Sequence, residues 1–226
     1  DIRRIRQRAA MPVLLRRLVA QTGQLLNIAR ASGQADLERS VGEDYTRLLE
    51  AVFLVHRVPA WGTTLGARVS SLPKVHVVDT GLGGWLLGIR GRGIERRDPT
   101  VLGQFGHLLE TFAVNEVLKQ VSWLEEPVQV GHYRTKDGHE VDLVLDVPGE
   151  GIVAIEIKSG EKVRPEDLRG LAALRDRLGS TFRAGVVLHP GPMSVPLGDR
   201  VYALPLDRLW TAVPSSVVDK YRSSSS

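Results

Sequence analysis

The feature that most constrains this chain is a pair of neighbouring apolar segments that each contain acidic residues. Residues 139–147 and 151–158 are predicted β-strands, and in each a charged residue stands where an apolar one would be expected. Asp142 lies in the first segment, and Glu156 and Lys158 lie in the second. Glu156 and Lys158 project from one face of their strand because they are two residues apart. Since buried charges need charged partners, the pattern predicts a polar site on a sheet.

These residue types predict divalent-metal chemistry. If the two strands pair through the turn between them, Asp142 lies beside Glu156, and two facing carboxylates are costly to bury without a cation between them. Mg²⁺ and Mn²⁺ prefer carboxylate oxygens and water, and the Ile157 carbonyl would add a further oxygen. Lys158 would face the nucleophile or a phosphate. Glu110, on the preceding helix, would orient a ligand or a bound water. We therefore predict Asp142 and Glu156 as metal ligands, within a catalytic set that also includes Glu110 and Lys158.

The pattern around this site is that of an α/β domain over residues 100–212. Helical and strand periodicities alternate along this part of the chain. They predict a mixed sheet flanked by helices. The expected elements are helices at 101–121 and 165–178, strands at 128–135, 139–147, 151–158, 182–188 and 200–204, and a final helical turn through Trp210.

The first part of the chain, residues 1–90, predicts a mainly helical, winged-helix-like unit. Apolar residues at helical spacing follow Met11, a helix over about 38–50 runs into a strand that Pro59 ends, and residues 69–78 read as its hairpin partner. The helix over 38–50 contains four acidic and two basic residues. Because DNA affinity depends largely on cations that contact phosphates, this composition favours a packing or linking role over base reading.

Charge is distributed unevenly. Residues 1–110 contain 16 Lys and Arg against 10 Asp and Glu, whereas residues 111–226 contain 14 against 16. A basic first half would attract a polyanion. The glycine-rich stretch 79–99 carries four arginines that are either phosphate contacts or simply solvated. Its glycines do not fit a dinucleotide-binding turn, which requires a βαβ unit, and Asp79 is better explained as a helix N-cap.

Several classes of protein are excluded or disfavoured. The chain has no cysteine, which removes disulfides, zinc–thiolate sites and thiol catalysis. The dipeptide Gly-Lys does not occur, so there is no P-loop and no ATPase activity in this chain. No apolar run approaches the ~18 residues of a spanning helix, and the first residues do not resemble an export signal. We expect a cytoplasmic protein without membrane contact, with a disordered tail over 213–226.

The residues resemble a known family. Asp142 followed by Glu156-Ile157-Lys158, after a helix that bears Glu110, resembles the D…(D/E)-x-K pattern of the restriction-endonuclease-like superfamily. More widely, residues 1–211 resemble the C-terminal half of a large prokaryotic family of AAA-type ATPases, a domain of uncharacterised function. The matching stretches are Asn27-Ile28-Ala29, residues 48–55, Pro73-Lys74-Val75, Asp79-Thr80-Gly81-Leu82, Leu109-Glu110, Glu140-Val141-Asp142, residues 156–159, Leu204-Pro205-Leu206 and Trp210.

The resemblance implies a restriction-endonuclease-like fold after a winged-helix segment. It also implies a DNA-associated, Mg²⁺- or Mn²⁺-dependent, nuclease-like module of a bacterial AAA-type ATPase, with an ATPase domain as partner. Phosphodiester hydrolysis would use water activated at the ion. Two departures are that the P-loop half is absent and that Asp36-Leu37-Glu38 stands where a helix-turn-helix usually has a glycine and a small residue, which further disfavours DNA reading by this segment. The competing hypothesis is a non-catalytic regulatory or partner-binding domain, in which Asp142, Glu156 and Lys158 form a structural ion-pair cluster.

Overall fold

The computed structural model describes residues 2–62 and 72–211, with side chains from residue 9 onward. Part of the predicted hairpin strand, residues 69–71, and the predicted tail, residues 213–226, lie outside the described residues. The helices are α1 (Ile2–Val19), α2 (Ile28–Gly33), α3 (Arg39–Ala51), α4 (Thr80–Leu86), α5 (Gly91–Glu95), α6 (Pro99–Val121) and α7 (Arg169–Leu178). The strands are β1 (Gln24–Leu25), β2 (Val55–Val58), β3 (Lys74–Val77), β4 (Gln129–Arg134), β5 (Glu140–Val147), β6 (Gly151–Ile157), β7 (Phe182–His189), β8 (Val195–Gly198) and β9 (Val201–Pro205).

The first unit packs three helices on a small antiparallel sheet. The strand order is β1-β3-β2, and β3 pairs antiparallel with both neighbours. The predicted helix over 38–50 and the strand before Pro59 are confirmed as α3 and β2. The winged-helix assignment itself stays a prediction. The apolar stripe predicted from Met11 onward packs into a core made of Leu14, Leu18, Leu26, Ile28, Ala31, Ala35, Leu49, Val55 and Val75.

The turn between α2 and α3 contains a residue in the left-handed conformation. Asp36 has a positive φ of 53°. Aspartate is one of the few non-glycine residues that tolerate this conformation. The two helices approach closely, because a Cβ added at Gly42 would overlap the Ser32 side chain.

The second unit is a six-stranded mixed sheet with a helix on each face, in the order β4-β5-β6-β7-β9-β8. Strands β4, β5 and β6 are antiparallel, whereas β7 is parallel to β6 and to β9. Helix α6 packs on Leu143, Ile155 and Leu188, and α7 packs on the opposite face. This confirms the predicted mixed α/β sheet flanked by helices. The restriction-endonuclease-like identity of the fold stays a prediction.

The element boundaries differ from the sequence prediction at few places. Helix α6 begins at Pro99, because Asp98 caps it through the backbone N–H groups of residues 100 and 101. The predicted helix over 165–178 begins with a 3₁₀ turn, Pro165–Leu168, before α7. The short strand β8 was not predicted. It contains Pro196 and lies at the sheet edge, where a missing backbone N–H is tolerated.

The two units share a core. Val58 of β2 packs with residues of α6 and of the large sheet, and Val77 of β3 packs with Leu108 of α6. The backbone of Trp61 donates a hydrogen bond of 2.6 Å to the His132 carbonyl. Strand β3 is therefore held against the second unit. Within the described ranges, no helix combines the length and the apolarity needed to cross a membrane.

Candidate functional site

Asp142 and Glu156 lie where the pairing of β5 with β6 ends. Leu143 pairs with Ile155 at the last regular position. Beyond it, the Asp142 Oδ2 atom accepts a hydrogen bond of 2.9 Å from the backbone N–H of Ile157. The side chain thus replaces a ladder bond, which fixes its carboxylate at the strand end. The predicted pairing through the short turn is confirmed, and it brings both carboxylates to one cavity.

Glu156 is buried with one free oxygen. Glu156 is 8% exposed, and its Oε1 atom lies 2.8 Å from the Lys158 ammonium nitrogen. The other oxygen, Oε2, has no hydrogen-bond partner among the described residues. Burial and the neighbouring Asp142 raise the pKa of Glu156 to about 8, although Lys158 opposes this shift. The carboxylate therefore lacks a full complement of positive charge and presents an oxygen to a proton or a cation.

Lys158 lies at the cavity edge. Its nitrogen contacts Glu156 and also lies 3.5 Å from Asp167, and about a third of the side chain is exposed. Burial alone would lower the pKa of Lys158, but the carboxylates of Glu156, Asp142 and Asp167 outweigh it and raise the pKa. Lys158 is therefore a cation that reaches the cavity while staying attached to Glu156.

Lys74 is a site residue that sequence reasoning missed. It lies on β3, is 1% exposed, and its Nζ atom lies 2.8 Å from Asp142 Oδ1, 2.9 Å from Glu110 Oε1 and 3.1 Å from Glu140 Oε1. Burial would lower the pKa of Lys74, but the carboxylates of Asp142, Glu110 and Glu140 raise it above its usual value. The available signal was a lysine at the start of a short strand that otherwise contains two valines and a histidine. No local spacing connects it to partners 36 to 68 residues away.

Glu110 projects from α6 towards Lys74 and Asp142. Burial and the charge of Asp142 raise the pKa of Glu110, whereas His107 and Lys74 lower it. The turn before β1 approaches the same carboxylate: a Cβ added at Gly23 would lie 3.0 Å from Glu110 Oε2. Gly23 also has a φ of +72°, so both the conformation and the close approach favour glycine.

All four predicted catalytic residues, Glu110, Asp142, Glu156 and Lys158, line one polar cavity of about 760 Å³. Five carboxylates take part in the ion-pair network there, against three cations, which leaves an excess of two negative charges when all are ionised. The carboxylates are those of Glu110, Glu140, Asp142, Glu156 and Asp167, and the cations are Lys74, Arg134 and Lys158.

The donor set fits a hard divalent cation in charge and in oxygen chemistry. The free Glu156 oxygen and the uncompensated negative charge support this fit. A preformed set of metal ligands is absent from the described part of the chain, where no group of three or more His, Cys, Asp or Glu side chains is arranged to hold a metal. Lys74 explains this, because its ammonium lies where the oxygens of Glu110 and Asp142 converge.

A second buried polar cluster lies along the same strand and consists of neutral groups. We call it the neutral network: Thr22, His56, His76, Thr111 and Asn115. The Thr111 hydroxyl oxygen lies 2.9 Å from that of Thr22 and 3.0 Å from His76 Nδ1. The Asn115 amide donates to the backbone carbonyls of residues 77 and 78, and its oxygen lies 2.7 Å from His56 Nε2. This network links α6 to the first unit without ionic charge.

The stretch 79–99 has no dinucleotide-binding turn. Asp79 is the N-cap of α4, as predicted, with its side chain accepting from the Leu82 N–H. The arginines at 90, 92, 96 and 97 are all exposed, and none forms an ion pair with any described residue. Of the tryptophans, Trp61 is buried, whereas Trp85, Trp123 and Trp210 are at least half exposed.

Two regions of the chain match models of known protein families. Residues 105–209 match the family model of a domain of unknown function, DUF4143, and residues 1–93 match that of a second, DUF8612. The chain is 29% identical over 189 residues to the uncharacterized proteins Rv2008c of Mycobacterium tuberculosis and Mb2031c of Mycobacterium bovis. The match covers 84% of this chain and 40% of each relative, so the chain spans less than half the length of these curated relatives.

One solved assembly, the McrB AAA+ hexamers with bound McrC of Thermococcus gammatolerans, aligns with 90% of this chain and 50% of the matched chain. The sequence identity is 10% and the TM-score is 0.33. These values carry no conclusion about the fold or the function of this protein.

Proposed function

We propose that this chain is a nuclease-like, DNA-associated module of a bacterial AAA-type ATPase, with an Mg²⁺- or Mn²⁺-dependent site for phosphodiester hydrolysis. The observation that carries the proposal is the buried Glu156 carboxylate, which has an unpartnered oxygen beside Asp142 in a polar cavity. A buried acid with a pKa near 8 is costly to ionise unless a cation arrives. The excess of two negative charges in the ion-pair network matches one divalent ion.

The residues have distinct roles in this proposal. Asp142 and Glu156 would hold the ion, which when bound supplies Lewis-acid polarisation of a phosphoryl oxygen and a more acidic water. Asp142 is kept in place by the Ile157 N–H. Lys158, attached to Glu156 and facing the cavity, would offset charge on the phosphate in the transition state. Glu110 would orient a ligand or a water from α6.

DNA association is best placed on the stretch between α4 and α6. Its arginines at 90, 92, 96 and 97 are exposed and unpaired within the described chain, so their charge is available to phosphates. Trp85, 73% exposed, lies beside them in sequence and offers a ring face to a base. Helix α3 is a poor alternative, because Arg47 is already paired with acidic neighbours of the same helix.

The ATPase association rests on the family resemblance of the sequence. The curated relatives are more than twice as long as their matched region, which leaves room for a further domain in those proteins. We propose that an AAA-type ATPase domain, in the same polypeptide or separate, is the partner of this module.

The test combines metal binding with cleavage. Mn²⁺ calorimetry and a plasmid-nicking assay would use the wild type, Asp142→Ala, and Asp44→Ala as a control that removes an exposed carboxylate from α3. We expect binding and nicking in the wild type and the control, and the loss of both in Asp142→Ala. Metal binding that survives in Asp142→Ala would contradict the assigned ligands. Nicking without added metal would contradict the chemistry.

A second candidate function is a non-catalytic regulatory or partner-binding domain. The observation that favours it is Lys74, which already supplies a cation to Glu110 and Asp142. In this case the cluster is a structural ion-pair network, and neither Mn²⁺ binding nor nicking occurs in the wild type, with or without the ATPase partner.

A further inference from the structure

We propose that Lys74 is a built-in competitor of the divalent cation, so that loading the site with metal and docking of strand β3 onto the carboxylates oppose each other. This inference rests on the metal site of the proposed function. It adds that the first unit of the chain regulates that site through a single ammonium group.

Lys74 comes from a different part of the chain than the carboxylates that it contacts. It lies within residues 1–93, which match one family model, whereas Glu110, Glu140 and Asp142 lie within residues 105–209, which match the other. The three carboxylates project from α6 and β5 and meet on one nitrogen. The charge balance of the site therefore depends on how the two units pack.

The position of the nitrogen creates the competition. Asp142 Oδ1 lies 2.8 Å from Lys74 Nζ, and Asp142 Oδ2 is engaged by the Ile157 N–H. A divalent ion bound to Asp142 would place two positive charges within a few ångströms of the ammonium, in a region of low dielectric where like charges repel strongly. Lys74 is 1% exposed, so water does not screen this repulsion.

Coupling of this kind is reciprocal. If Lys74 weakens metal binding by some factor, then bound metal weakens the Lys74 contact by the same factor. A ligand or partner that pulls β3 away from the carboxylates would therefore raise the metal affinity. The first unit thus lowers the metal affinity of the site, and a partner that displaces β3 would restore it.

Lys158 does not act in this way. It lies at the cavity rim, with about a third of its side chain exposed, and its partners are Glu156 and Asp167. Its nitrogen is partly solvated, whereas that of Lys74 is not. The competitor is the fully buried lysine of β3.

The experiment measures Mn²⁺ affinity by calorimetry on the full chain at pH 7.5. The variants are Lys74→Met, which removes the charge at similar volume, Lys74→Arg, which keeps it, and Lys119→Met, which removes an exposed lysine elsewhere. We expect Lys74→Met to bind Mn²⁺ at least about tenfold more tightly than the wild type, within the usual range of coupling between two sites. Lys119→Met should match the wild type, and Lys74→Arg should bind no more tightly than it.

Thermal melting keeps the proposal testable if Lys74→Met is unstable. Mn²⁺ should raise its melting temperature more than that of the wild type, or fold it if it is unfolded without metal. Failure to fold in saturating Mn²⁺, or equal or weaker affinity in a folded variant, would overturn the competition while leaving the metal site in place. Absence of binding in both the wild type and a folded Lys74→Met would overturn the competition and the proposed function together.

Discussion

Strand β3 buries two polar residues two positions apart, and their surroundings differ in charge. Lys74 meets three carboxylates beside a polar cavity of about 760 Å³. His76, which is fully buried, meets the Thr111 hydroxyl in a network of neutral groups and stacks on His56 with ring centroids 5.4 Å apart. One helix, α6, supplies partners to both, through adjacent residues Glu110 and Thr111.

The difference separates a structural polar cluster from one that is available for chemistry. In the neutral network, hydrogen bonds among Thr22, Thr111, Asn115 and the backbone of β3 hold the two units together without net charge. The carboxylate cluster keeps an excess of negative charge and a free Glu156 oxygen. Unbalanced charge of this kind lowers stability unless a ligand neutralises it. Buried atoms without a hydrogen-bond partner occur in both clusters, at His76 Nε2 and at Glu156 Oε2. The charged cluster, which lines the cavity, is therefore the candidate site because of its negative charge and its access to a ligand.

Removal of the Lys74 charge should have the largest effect on the free energy of unfolding. In the absence of metal, Lys74→Met should lower the free energy of unfolding by about 3–5 kcal/mol, since it leaves buried carboxylates unpaired. Lys158→Met should cost less, because Lys158 is partly solvated. Urea unfolding measures both, with Lys119→Met as the exposed control. Equal losses for Lys74→Met and Lys158→Met would contradict the view that the charged cluster is centred on Lys74.

The next effect concerns the neutral network. Asn115→Ala removes the side chain that bonds His56 and two backbone carbonyls of the first unit, so it should lower the free energy of unfolding by about 2–3 kcal/mol. Mn²⁺ affinity should stay unchanged, because Asn115 does not line the cavity. The matched control is Asn27→Ala, which removes only an exposed helix cap. A changed metal affinity in Asn115→Ala would break the separation between the two clusters.

Glu156→Gln should stabilise the protein at alkaline pH. The pKa of Glu156 is raised from 4.5 to about 8, so the folded state holds its proton more tightly than the unfolded state. The stability contributed by protonated Glu156 is complete below pH 4.5 and is lost as the pH rises to about 8. The neutral glutamine avoids this loss, which predicts a gain of roughly 1–3 kcal/mol above pH 8 and little change near pH 4.5. Thermal melting at both pH values, without metal, provides the test.

Protonation of the neutral network should lower the free energy of unfolding as the pH falls. This is the smallest of the expected effects. Burial lowers the pKa of His56 and His76 below the ordinary value of 6.5. The unfolded chain then binds protons that the folded chain does not, so stability present above pH 6.5 is lost as the pH falls. His76, whose pKa is lowered most clearly, should account for about 1 kcal/mol of loss for each pH unit. His76→Leu should therefore flatten the slope of stability against pH between 6.5 and 5.5, which urea unfolding at both pH values measures.

Much of this organisation is predictable from the sequence, for identifiable reasons. The strands around Asp142 and Glu156 are apolar runs rich in β-branched residues, and their short connection leaves antiparallel pairing as the simplest arrangement. The apolar spacing of helix α6 likewise placed Glu110 on that helix. Both signals are local, and the elements that they predict are present in the folded protein.

The contribution of Lys74 was not predictable by this reasoning. Its carboxylate partners lie 36, 66 and 68 positions further along the chain, in a different unit, and only the packing of β3 against α6 and β5 brings them together. A lysine in a short strand is normally assigned to solvent, since buried lysines are rare. The exposure of Trp85, Trp123 and Trp210 was not predictable either, because hydrophobicity alone does not say which side of an element is covered.

The most direct test of the central claim is anomalous diffraction from crystals of the protein soaked in Mn²⁺. The account predicts a manganese peak within roughly 2.3 Å of carboxylate oxygens of both Asp142 and Glu156, with Lys74 Nζ displaced from Asp142 Oδ1. Crystals without a peak at saturating Mn²⁺, in which Lys74 still bridges Glu110 and Asp142, would contradict it. In that case the charged cluster is a structural ion-pair network that holds the two units together, as the neutral network does.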